Sequence, residues 1–78
     1  MRKQTFSIIQ IETGHSDRSK TIEQVIGKGA AVERASELTT QSRRAAYREG
    51  RQYAQFSYMI LNDKTRKLCL PDGRGLGF

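Results

Sequence analysis

Arg43, Arg44, Arg48 and Arg51 stand close together in the run Ser42-Arg43-Arg44-Ala45-Ala46-Tyr47-Arg48-Glu49-Gly50-Arg51, with Tyr47 between them and Glu49 as the only acid. A guanidinium is a rigid fork of donors that matches a phosphate or a carboxylate with two parallel hydrogen bonds. Several such forks beside one aromatic ring suit the capture of an anionic partner, the arginines gripping charge while the tyrosine stacks or anchors. A plainer role competes with this one, because cations are also favoured at the negative C-terminal end of a helix. A second basic cluster, Lys64-Thr65-Arg66-Lys67, falls in a turn between two strand patterns. Charge at a sheet margin often serves to block edge pairing, and here it also offers further contact to an anion.

Other chemistry finds little footing. His15, Ser16 and Asp17 are consecutive in a polar stretch, so their side chains diverge, whereas the members of a catalytic triad converge through the fold. Glu12 and Asp17 have no evident partner acid across a cleft. One cysteine, Cys69, and one histidine cannot make an intramolecular disulfide or a Cys₂His₂ or Cys₄ zinc site, so the thiol is expected in the core. Gly27-Lys28-Gly29 and Gly73-Arg74-Gly75-Leu76-Gly77 match neither the P-loop nor the dinucleotide fingerprint. Gln52 to Tyr58 alternates aromatics suggestively but does not carry the RNA-recognition-motif signature. No cofactor or metal is expected.

The elements that must position these residues follow from pattern. Thr5 to Thr13 is rich in β-branched and aromatic residues, with Phe6 and Ile8 on one face and Ile9 and Ile11 of opposite parity, which fits a central or bulged strand. Gly14 to Lys20 reads as a polar loop; Thr21 to Ile26 has helical spacing of Ile22, Val25 and Ile26 but the composition and length of a strand, and is read as a second strand ending in a Gly-Lys-Gly turn. Ala30 to Glu49 is predicted helical: Ala31, Ala35, Leu38, Ser42 and Ala45 or Ala46 share one face, with Val32 and Thr39 alongside, and Gly50 is placed to end the helix. Arg51 to Leu61 alternates with period two, putting Ala54, Phe56, Tyr58 and Ile60 toward the helix. Asn62 to Thr65 turns the chain into a last strand, Arg66 to Leu70. The expected fold is α+β, an antiparallel four-stranded sheet with one helix packed on one face in the order ββαββ. Residues 1–72 would form the single domain and 73–78 a flexible glycine-rich tail.

Length and composition agree. A chain of 78 residues buries roughly 60% of its unfolded surface and supports one thin core. With 36% hydrophobic and 28% charged residues it has a globular profile. No apolar run is longer than the four residues Tyr58-Met59-Ile60-Leu61, which implies no membrane span and a cytoplasmic location. The net charge of +6 attracts phosphate backbones and acidic surfaces. The sheet face opposite the helix, with Ser7, Ile9, Ile11, Tyr53, Gln55, Ser57 and Met59, is a candidate for homodimerisation or partner contact.

The layout of a hairpin (TFSIIQIET, KTIEQVI), a helix opened by small residues (GKGAAVERASEL) and a second hairpin (QYAQFSYMILNDKTRKLCL) resembles that of small phage-encoded anti-CRISPR proteins. It is similar to type I inhibitors that bind the crRNA-guided surveillance complex, Cascade. The likeness is one of architecture over nearly the whole chain and carries no residue assignment. It implies a non-enzymatic phage or mobile-element protein that binds this defence complex, and a basic member would contact acidic protein surfaces, crRNA or DNA. The alternative is a small DNA- or RNA-binding protein. On either view the expected contact residues are Arg43, Arg44, Tyr47, Arg48, Arg51, Lys64, Arg66 and Lys67.

Overall fold

A computed structural model describes residues 4–71. Strands β1 (Thr5–Glu12) and β2 (His15–Ile26) are followed by helix α1 (Lys28–Arg48) and strands β3 (Phe56–Asn62) and β4 (Lys67–Cys69). The strands form one antiparallel sheet in the order β2-β1-β3-β4, with β1 and β3 in the centre. This is the expected ββαββ arrangement. The tail at 73–78 lies outside the described residues.

The core lies between the sheet and α1. Phe6 and Ile8 of β1, Tyr58 and Ile60 of β3, Cys69 of β4 and Ala31 and Ala35 of α1 are buried together, with Val25, Val32, Leu38 and Phe56 packed around them. Alanines at the contact let the helix approach the sheet closely, which suits a core this thin. Cys69 is buried as expected, its Sγ donating to the Ile60 carbonyl. The Tyr58 hydroxyl is satisfied by Gln10 Oε1 at 3.1 Å, so the ring can be buried without stranding its polar end. On the far face, Ile9, Ile11, Met59 and Leu61 are only half-buried, and Leu68 and Ile26 are exposed.

Three expected boundaries are corrected. Residues 15–20, read as loop, belong to β2, because Thr13 and Gly14, the latter at φ 83°, reverse the chain within two residues. Backbone groups of Ile9, Gln10 and Ile11 then pair with Thr21, Lys20 and Ser19 whatever the polarity of those side chains. The register slips once between Ile8 and Ile9, where Ile22 is extra, and again at the hairpin end. Residues 51–55, read as the first half of a long strand, are irregular. The neighbouring strand β1 ends at Glu12, opposite Phe56, so the ladder stops there. Their polar groups find other partners: Thr13 donates through N to Gln55 O and through Oγ1 to Ala54 O. The helix also begins two residues earlier than predicted, at Lys28, with Gly27 at φ 95° as its N-cap.

Asp63, in the β3–β4 turn, ties three chain segments together. Its carboxylate accepts from Thr5 Oγ1, Ser7 Oγ and Gln24 Nε2 at 2.9, 2.7 and 3.0 Å. Partial burial pushes the group up, but the bonds from Gln24, Ser7 and Thr5, with Arg66 nearby, outweigh it and hold the carboxyl below its ordinary range. A carboxyl whose folded value is lowered stabilises the fold above its unfolded value, near 4, and this contribution disappears as pH falls through the folded value. Asp63→Asn, which turns one accepting oxygen into a donor, is expected to cost about 1–2 kcal/mol at pH 7 after allowance for solvent screening. Urea unfolding at pH 7 and pH 3 checks this: the gap between parent and variant should narrow in acid, and an equal gap at both values would contradict it.

Candidate functional site

The basic end of α1 is held in place by two local devices. Ser42, on the core-facing side, donates from Oγ to the Phe56 carbonyl at 2.9 Å and accepts from the Phe56 amide at 3.4 Å, fastening the last turns of the helix to the start of β3. The helix then stops in a glycine cap. Gly50, at φ 70°, donates to Tyr47 O, and Arg51 N donates to Ala46 O at 2.8 Å, which is the paired bonding of a Schellman motif. The cap turns the chain back along the helix it has just left.

This return builds a groove of about 400 Å³ lined by Arg43, Ala46 and Tyr47 on one side and Arg51, Gln52, Tyr53 and Ala54 on the other. Thr40, Arg43, Arg44, Tyr47 and Arg48 line a second, adjoining concavity along the helix. Their spacing of three and four residues places them on one stripe, turned away from buried Ala31, Ala35 and Ala46. Tyr47 is 87% exposed and Tyr53 69%. Of the chain's three tyrosines, only Tyr58 is used in the core.

The charges are distributed unevenly. Arg34 is bonded to Glu23 and Glu37 at 2.8 and 2.9 Å, Arg18 faces Glu12 at 3.4 Å, and Arg51 is paired with Glu49 at 2.8 Å. Among the described residues no acid pairs with Arg43, Arg44 or Arg48. In the first half of the helix Lys28 and Arg34 are balanced by Glu33 and Glu37, whereas from Arg43 to Arg51 four arginines oppose one glutamate. Along α1 the net positive charge therefore concentrates at the C-terminal end, where the helix dipole favours it but does not cancel it.

Of the residues expected to meet a partner, Arg43, Arg44, Tyr47, Arg48 and Arg51 come together here. Lys64, Arg66 and Lys67 do not. The helix begins beside their turn, since Gly27 N donates to Gln4 O and Gln4 Nε2 to Asn62 Oδ1, and α1 then runs about 30 Å to its basic end. The two clusters stand at opposite ends of the helix and form no continuous patch. No family model, curated protein or solved structure matches this chain.

Sequence reasoning missed Tyr53, which it placed on the outer sheet face. The signal was present in Gly50: a glycine cap reverses direction, so the residues after it approach the last helical turn instead of extending a strand. His15 and Asp17 are exposed at the hairpin end, and among the described residues no group of three His, Cys, Asp or Glu side chains is placed to hold a metal ion. No helix among them is long and apolar enough to cross a membrane. Gly50→Ala meets open space, so its penalty is conformational: about 1–2 kcal/mol for forcing a left-handed residue. Thermal unfolding should show that loss, and an unchanged midpoint would mean the cap is dispensable.

Proposed function

We propose that this chain is a non-enzymatic nucleic-acid-binding protein, working in the cytoplasm, whose contact surface is the basic end of α1 with the returning segment 51–54. The observation that carries the reading is the set Arg43, Arg44 and Arg48, without acid partners among the described residues, on the same stripe as exposed Tyr47. Elsewhere Arg18 and Arg34 are paired with Glu12, Glu23 and Glu37, so these three arginines differ from them in lacking a counter-charge. Guanidinium groups arranged along one helical stripe can follow a phosphate backbone, and adjoining tyrosines add contacts that charge alone does not supply.

Salt dependence tests it. Affinity for a labelled oligonucleotide should fall linearly with salt on a log–log plot, by roughly 0.7 per phosphate contact for a single strand and 0.9 for a duplex. Absence of binding at low salt would sink the proposal. A second reading, an inhibitor of the type I crRNA-guided surveillance complex, draws on the layout of one helix across a four-stranded sheet and would use the same surface. Recovery of a defence-complex subunit in a nuclease-treated pull-down would favour that reading, whereas nuclease-sensitive recovery favours the first.

A further inference from the structure

The reading above leaves open whether paired or unpaired nucleic acid is the ligand. We infer that the groove between the end of α1 and segment 51–54 takes a short single strand, with unpaired bases stacked on Tyr47 and Tyr53 and phosphates held by Arg43, Arg44 and Arg48. This deepens the nucleic-acid reading and rests on it.

Two observations separate a single strand from a duplex. The first is where charge lies along the helix. A helix reading a duplex lies within the major groove, with phosphates flanking much of its length. Here Glu33 and Glu37 occupy the outward face of the first half of α1, in helical register with Thr40, Arg44 and Tyr47. Phosphates flanking that half would pass two carboxylates. The unopposed arginines span only the last turn and a half, ~8 Å of helix, which matches a few nucleotides and not a groove-length contact.

The second observation is the state of the tyrosines. Both line or border the same basic groove, and both leave most of their surface open. A tyrosine ring gains from a base only when a base face is free, and in a duplex those faces are already covered by neighbouring pairs. Single strands present them. Stacking is tolerant of base identity, so the site is expected to bind strands with little sequence preference.

The test uses the full chain, a labelled oligothymidylate of about 12 nucleotides and a duplex of equal length, which has twice the phosphate. Were charge alone decisive, the duplex would bind more tightly. The inference expects the reverse order. It also expects Tyr47→Ala with Tyr53→Ala to lower single-strand affinity at least about tenfold and by a larger factor than duplex affinity, while the two phenylalanine replacements retain it. Because the chain has no tryptophan and two of its three tyrosines line the groove, tyrosine emission should be partly quenched by the single strand. Equal or tighter duplex binding, or a double alanine variant with parental single-strand affinity, would overturn the single-strand inference and leave the basic surface standing. Failure of both ligands to bind would overturn the nucleic-acid reading itself.

Discussion

A variant carrying Arg43→Ala, Arg44→Ala and Arg48→Ala is expected to fold like the parent and to lose at least about 30-fold in affinity for nucleic acid, a change of about 2 kcal/mol. Folding should survive because all three side chains are exposed and, among the described residues, none is paired with an acid. Alanine is also the strongest helix former, so the helix loses little beyond favourable charge at its C-terminal end. Binding should change in a second respect. Removing three phosphate contacts lowers the salt slope by about 2 for a single strand, so the deficit should shrink as salt rises. A parallel experiment with Lys64→Ala, Arg66→Ala and Lys67→Ala removes the same charge from the other end of the helix. If that variant loses as much affinity with the same change in slope, net charge governs binding and the site assignment is wrong. Circular dichroism and a fluorescence titration at three salt concentrations decide the matter.

The largest expected effect on stability is that of Phe6→Ala. Phe6 is 1% exposed on a central strand, facing Val25 across one pairing and Asn62 across the other, so its removal leaves a cavity that the sheet backbone cannot close. A loss of about 3–5 kcal/mol is expected. A domain of this size is stabilised by about 4–12 kcal/mol in all, so the variant should unfold well below the parent's midpoint. Phe56→Ala is the informative partner. Sequence parity put Phe56 toward the helix, as found, but it sits at the strand's start and is only half-buried, its surroundings including the open end of the helix. Its truncation should cost about 1–3 kcal/mol, clearly less than that of Phe6. Reversed magnitudes in urea unfolding would show that the core is centred on the other end of the sheet.

How far the sequence could be read depended on the range over which each feature is encoded. The helix face holding Ala31, Ala35, Leu38 and Ser42 was legible because spacing of three and four residues is a property of neighbours. So were the parity of Phe56, Tyr58 and Ile60, the glycine cap at Gly50 and the turn after Asn62. The arginine cluster was legible for the same reason: it lies within one short run of consecutive residues, Arg43 to Arg51.

What pattern alone could not deliver were the features set by a distant strand. Whether His15 to Lys20 pair is decided by the far half of β1, which has backbone donors and acceptors to satisfy on that edge. Whether residues 51–55 pair is decided by the end of β1 at Glu12, and alternation continues past that point without any partner to make it a strand. The consequence reaches the site, because the loss of strand pairing frees this segment to follow the Gly50 reversal and bring Tyr53 to the groove beside Arg43 and Tyr47. The separation of the two basic clusters has the same origin. By itself the sequence determined the elements, their order and the charge that each one carries, because these depend on residues close along the chain. Only the tertiary structure decided which charges and rings share a surface, because that depends on where each strand runs out of a partner and on the length of the helix laid between the two ends of the sheet.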